Sequence, residues 1–155
     1  MKMRTVIITG ASGNLGLVVT NRFLDSGYRV IATVANEASK KELPAHGLLS
    51  AEIVNLTDEA ETASFVAATI DKYQRVDAAL LLVGGFAMGN IAVTGGSELK
   101  KQYALNFETA YYITRPLFAH MVEQGAGRIV FIGSRPSLAA GQGKDLLAYG
   151  LSKSL

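Results

Sequence analysis

"TVIITGASGNLG", Thr5 to Gly16, is the stretch that decides the fold. Val6–Ile8 is a short apolar run without alternation, the pattern of a strand buried on both faces. It runs into a turn in which Gly10, Gly13 and Gly16 stand three apart. A helical pattern follows at Leu15, Val18, Val19, Arg22 and Phe23, closed by Gly27 where a left-handed cap residue would sit. Strand, glycine turn and helix in this order admit two readings, a structural turn or a phosphate cradle. For the cradle the physics is direct: the tight turn and the close approach of a pyrophosphate need bare backbone. The following helix offers unpaired N–H groups and a positive dipole end. Gly16 would let that helix pack closely on the sheet. The candidate cofactor-binding residues of the turn are Gly10, Ser12, Gly13, Asn14, Leu15 and Gly16.

Further apolar runs at Val30–Ala32, Ala78–Val83 and Ile129–Ile132, with another strand over Ala51–Val54, alternate with helical segments. One of these starts at Asp58 with Glu61 three residues on. The expected architecture is α/β: a Rossmann-type, doubly wound parallel sheet of at least five strands in a single domain, residues 1–155. "AVTGGSE", Ala92–Glu98, reads as a loop too short to separate domains.

The totals narrow the function. A chain of 155 residues with 49% hydrophobic and 18% charged residues and a formal net charge of +2 fits one folded core, not a disordered tail or a strongly basic nucleic-acid binder. There is no cysteine, and His46 and His120 lie far apart, so neither disulfides nor a metal centre is expected. The longest apolar run is too short to span a bilayer, which takes about 20 residues as a helix. The expectation is a soluble, cytoplasmic protein without nucleic-acid or membrane partners.

In dinucleotide folds an acid near the end of the second strand often holds the adenosine ribose. "RVIATVANE" places Val34 there, with no acid before Glu37. This leans the cofactor reading from NAD toward NADP, with Asn36, Lys40 and Lys41 available to a 2′-phosphate or merely forming an exposed loop.

Near the end of the chain, "YGLSK" puts Tyr149 and Lys153 four apart, on one face of a helix. A phenol of ordinary pKa about 10 is a poor acid at neutral pH, and a neighbouring ammonium favours its ionised form. "GRIVFIGS" reads as a buried strand ending at Ser134, at the carboxyl edge where ligands sit in such sheets. Its hydroxyl could donate to a carbonyl oxygen, with Ser137 as the alternative. Leu99, Tyr103, Asn106, Ala110, Ile113 and Leu117 form one stripe at helical spacing. Asn106, its strongly polar member, is either a satisfied core amide or a residue holding water or backbone beneath a site.

Together these residues resemble the short-chain dehydrogenase/reductase family. The likeness rests on "TGASGNLG", "ALNFETAYYITRPLFAHMVEQGAGRIVFIGS" and "YGLSK" and covers essentially the whole chain. It implies NAD(P)H-linked hydride transfer on a carbonyl or alcohol. In that scheme Tyr149 is the proton donor, Lys153 lowers its pKa and binds the nicotinamide ribose, Ser134 orients the carbonyl and Asn106 supports a water relay. It also implies that Asn55 and Leu56 lie near adenine, and a homodimer or homotetramer.

Three departures qualify the likeness. The glycine spacing, with Asn14 at the commonest second-glycine position, resembles the extended and atypical branches. "VGGF", Val83–Phe86, with Gly84 and Gly85 as further cofactor-side candidates, stands where Asn-Asn-Ala-Gly is usual and resembles dihydropteridine reductases. The interval from Ser134 to Tyr149 implies a small insertion in "AAGQGKD". Family members continue well past the lysine, so the sequence is expected to be part of a longer reductase. Two alternatives remain at this point: a non-catalytic nucleotide-binding or regulatory module, and an epimerase or dehydratase of the extended branch.

Overall fold

The computed structural model describes residues 3–139, 141 and 143–154. Met1, Lys2, Ala140, Gln142 and Leu155 lie outside the described residues, two of them within the segment read as an insertion. The elements are β1 (Thr5–Thr9), α1 (Asn14–Asp25), β2 (Arg29–Val34), α2 (Glu37–Lys41), β3 (Leu49–Ile53), α3 (Glu59–Tyr73), β4 (Ala78–Leu81) and α4 (Gly96–Tyr103). A π-helical turn (Ala104–Glu108), α5 (Thr109–Gln124), β5 (Arg128–Phe131), α6 (Arg135–Leu138) and α7 (Leu147–Ser152) complete the order.

Among the described residues the strands form one parallel sheet in the order β3-β2-β1-β4-β5. The chain winds outward from β1 to β3, then returns to lay β4 on the other side of β1. The carboxyl ends of β1 and β4 therefore flank the point where the winding reverses, where open α/β sheets bind ligands. Ile7, Ile31, Ala79 and Leu81 join Phe65, Val66, Ile113, Leu117 and Met121 of α3 and α5 in one core. Val6, Ile8, Val30 and Ala32 join Leu24 of α1 in the other. Each fully buried aliphatic side chain contributes roughly 1.5–3 kcal/mol, so the two cores hold α1 on one side and α3 and α5 on the opposite side of the sheet.

Local chemistry sets the element ends. Gly27, at φ 74°, turns the chain out of α1, and its N–H donates to the Leu24 carbonyl at 2.9 Å. Asp58 caps α3, its Oδ1 accepting the Glu61 N–H at 3.0 Å. β3 starts two residues before Ala51, because Leu49 and Ser50 already pair with Val30 and Ile31. β4 stops at Leu81 instead of Val83: the amides of Leu82 and Val83 donate to Thr9 Oγ1, at 2.9 and 3.3 Å.

Two expectations need correction. Among the described residues only β4 flanks β5, and Val130, Phe131 and Ile132, expected to be buried, are exposed. The stripe through the fourth and fifth helices is also broken. Asn106, Ile113 and Leu117 are buried, but Leu99 and Tyr103 are exposed and Gln102 is buried in their place. The π turn is the cause. A turn closed by i→i+5 bonds, here Thr109 N–H to the Ala104 carbonyl, takes up an extra residue and rotates α4 relative to α5.

Candidate active site

At the carboxyl end of β1, Gly10 adopts φ 62°. A Cβ there would stand 3.2 Å from Val83 Cγ2. One on Gly16 would collide with the Gly10 carbonyl and Ala11. Helix α1 thus sits hard against the turn, and its first N–H groups have no carbonyl within the helix, an arrangement that suits an anion. Gly10, Ser12, Val34, Asn55 and Leu56 line a single cleft at the ends of β1, β2 and β3. Bare backbone, a helix N-terminus and an adjoining apolar cleft fit a dinucleotide. Gly13, Asn14 and Leu15 lie at the exposed mouth of the turn. Asn36 is the N-cap of α2, its Oδ1 accepting the Ser39 N–H at 2.9 Å. Lys40 and Lys41 lie in that helix's last turn.

The second half of the site comes from α7. Tyr149 lies within it, and Lys153 is its C-cap, with its N–H bonded to the Tyr149 carbonyl at 3.2 Å. The Lys153 ammonium reaches across to donate to the Ile132 carbonyl, just beyond β5, at 2.9 Å. Burial pushes the Lys153 pKa below the ordinary lysine range. The ring of Phe86 meets that of Tyr149 edge-on at 5.0 Å. The loop carrying Phe86 is pinned to the start of α7: Gly89 N–H donates to the Asp145 carbonyl at 2.8 Å, and Leu147 N–H to the Gly89 carbonyl at 2.9 Å. Sequence reasoning missed both contacts, although the aromatic residue after the glycine pair was a usable signal.

Asn106 lies under the same loop. Its Oδ1 accepts the Gly85 N–H at 2.9 Å, and its Nδ2 stands within donating distance of Gly85 O (3.1 Å), Gln102 Oε1 (3.0 Å) and Ser152 Oγ (2.9 Å). The amide is thus committed to backbone and side-chain partners. Gly84 passes between Asn106 and Lys153, where a Cβ would lie 2.7 Å from Asn106 Oδ1 and 3.1 Å from Lys153 Nζ.

The two candidate serines differ in their commitments. Ser137 Oγ accepts the Ser134 N–H at 3.3 Å and donates to the Ser134 carbonyl. Among the described residues Ser134 Oγ, which is buried, has no hydrogen-bond partner. Among the described residues there is no cluster of metal-ligating side chains, and no helix is long and apolar enough to cross a membrane.

The family model for short chain dehydrogenases matches residues 4–154. A 2-(R)-hydroxypropyl-CoM dehydrogenase of Xanthobacter autotrophicus is 31% identical over 97% of this chain and 63% of its own length. An acetoacetyl-CoA reductase of Acinetobacter is 30% identical over 86% of this chain and 56% of its own. The chain thus spans about three-fifths of the length of these relatives. Among solved structures, ElxO with NADP bound superposes with a TM-score of 0.92 at 23% identity, covering 99% of this chain and 63% of its own, a likeness of fold. Serine dehydrogenase from Escherichia coli does so with a TM-score of 0.85 at 24% identity, covering 97% and 70%. With the family model matching nearly end to end, the chain belongs to the short-chain dehydrogenase/reductase family.

Proposed function

We propose that this chain forms the cofactor-binding and proton-transferring part of an NAD(P)H-dependent oxidoreductase that interconverts a carbonyl compound and an alcohol. The observation that carries the reading is the meeting of Lys153, Asn106 and Gly84 beside β4, with Tyr149 one helical turn from the lysine. The names of two relatives, a dehydrogenase of a hydroxypropyl compound and a reductase of acetoacetyl-CoA, support the reaction class. NADP is favoured over NAD because β2 ends at Val34 and is followed by Ala35 and Asn36 without an acid, and because ElxO, similar in fold, has NADP bound.

A bound nicotinamide dinucleotide would supply the hydride. Gly10, Ser12, Gly13, Asn14, Leu15 and Gly16 would hold its pyrophosphate on bare backbone and the α1 N-terminus. Val34, Asn55 and Leu56, which share one cleft, would flank the adenosine, and Lys153 would take the second ribose. In the reducing direction Tyr149 would break its O–H bond and give the proton to the carbonyl oxygen as that carbonyl is reduced. The product is an alcohol, and a tyrosinate remains. The Lys153 ammonium, held by the Ile132 carbonyl, stands on the same helix face as that phenolate. The unpartnered Ser134 hydroxyl is free to donate to the carbonyl oxygen as negative charge develops there. Gly84 and Gly85 let the backbone after β4 run close against Asn106, Lys153 and Leu105.

The test is Tyr149→Phe. Oxidation of NADPH across a panel of ketones is expected to fall at least a thousandfold while NADPH affinity, read by fluorescence, stays within threefold. Unchanged turnover would remove the assignment. Turnover without net consumption of reduced cofactor would point instead to an epimerase or dehydratase.

A further inference from the structure

The amide of Gln102 is buried, 1% exposed, although α4 is otherwise a polar surface helix. Its Nε2 donates to Glu98 Oε1 at 2.8 Å, one turn toward the N-terminus. Its Oε1 accepts from Asn106 Nδ2 at 3.0 Å, one turn toward the C-terminus. A carboxylate only accepts hydrogen bonds, whereas an amide has a donating and an accepting end. Glu98 therefore decides which way Gln102 faces. Reversing the Gln102 amide would set oxygen against the Glu98 carboxylate and NH2 against the Asn106 NH2, two repulsive pairs in a water-poor site.

The same logic continues into the candidate active site. With Gln102 presenting oxygen, Asn106 must present its NH2 to α4, so its Oδ1 turns to the Gly85 N–H. Ser152 reinforces this choice, because its hydroxyl donates to the Tyr149 carbonyl and so offers Asn106 a lone pair. Gln102 also lies flat on Gly85, where a Cβ would stand 3.4 Å from Nε2 and 3.5 Å from Oε1. We infer that Gln102 is a positioning residue. It passes the polarity of the Glu98 carboxylate along the helix face to Asn106, fixing which end of that amide holds the Gly84–Gly85 backbone beside Lys153. The inference rests on the proposed role of this site for its effect on turnover, but not for its effect on the backbone.

The experiment compares Gln102→Met, which keeps the volume and removes both polar ends, and Glu98→Ala, which removes the orienting carboxylate from a part-buried position. The readouts are amide hydrogen exchange and the Asn106 side-chain NH2 resonances by NMR, with ketone reduction by NADPH alongside. In Gln102→Met the Gly85 amide is expected to exchange at least tenfold faster, with the β4 amides of Ala79 and Leu81 unchanged. The Asn106 NH2 resonances shift, and Glu98→Ala gives the same pattern in weaker form. Turnover falls about tenfold, with the KM for NADPH within twofold. Unchanged Gly85 exchange and Asn106 resonances in a folded Gln102→Met protein would overturn the inference, as would uniform loosening of β4 and Gly85 together. If the wild type reduces no carbonyl compound, the functional proposal fails while the NMR result still decides the role of Gln102.

Discussion

Gly84 and Lys153 meet with no room for a methyl group beside Asn106. A Cβ on Gly84 would stand 3.1 Å from the lysine Nζ and 2.7 Å from Asn106 Oδ1, and that oxygen is already held by the Gly85 N–H. The neighbours cannot yield without breaking a bond or displacing the ammonium. Gly84→Ala is therefore expected to lower kcat by about 10- to 100-fold, as displacements near 1 Å do in catalytic sites. Single-turnover reduction of a ketone by NADPH would measure it. A fully active variant would show that the lysine need not lie where it does.

The glycines of the first turn should separate by the same criterion. A Cβ on Gly16 would collide with the Gly10 carbonyl, whereas on Gly13 it would sit 3.4 Å from that oxygen, an ordinary contact. Gly16→Ala is expected to cost about 3 kcal/mol or more of stability, or to displace α1 and abolish NADPH binding. Gly13→Ala should stay within about 1 kcal/mol of wild type. Denaturant unfolding together with NADPH titration distinguishes them, and equal effects would mean that the turn relaxes freely.

The glycine turn, the parallel sheet and the Tyr149–Lys153 spacing were legible because each rests on local pattern: apolar runs without alternation, residues free of Cβ, and a four-residue helical interval. The exposure of β5 was not, because a run such as Ile129–Ile132 carries no mark of whether one neighbour or two will flank it. Gln102 escaped for a different reason. A stripe counted at 3.6 residues per turn passes through Leu99 and Tyr103, and the π turn at Ala104–Glu108 shifts that count by about one residue, turning Gln102 inward. The polar series Glu98, Gln102, Asn106 at four-residue intervals was the available signal. Ser134 and Ser137 could not be ranked from sequence, since the ranking depends on which hydroxyl the backbone at Ser134 consumes.

That ranking yields a paired prediction. Among the described residues Ser134 Oγ is buried with no partner at hydrogen-bond distance, so Ser134→Ala removes at most the weak capping contact of α6. Stability should change by less than about 1 kcal/mol, since no paired group is lost. Ketone reduction should fall about 100-fold, the scale of losing one donor to a developing oxyanion. Ser137→Ala should show the reverse balance: a loosened α6, a loss of about 1 kcal/mol and a milder effect on turnover. Thermal unfolding and steady-state kinetics on both variants test the assignment, and an active Ser134→Ala protein would transfer the role to Ser137.

Lys153 carries a pH signature of its own. Burial holds its pKa below the ordinary value of 10.5. Below the folded-state pKa both folded and unfolded chains hold the proton, and the folded chain bears the cost of a partly desolvated ammonium. As pH rises from the folded-state value toward 10.5, the folded chain binds fewer protons than the unfolded one, so stability contributed by this group increases. Lys153→Met lacks that linkage but also lacks the bond to the Ile132 carbonyl. All other groups are common to both proteins and drop out of the difference. The stability of wild type minus that of Lys153→Met is therefore expected to rise as pH approaches 10.5 from below, measured by urea unfolding at each pH. A difference that stays flat or falls would mean that the ammonium is better solvated than its place behind Gly84 implies.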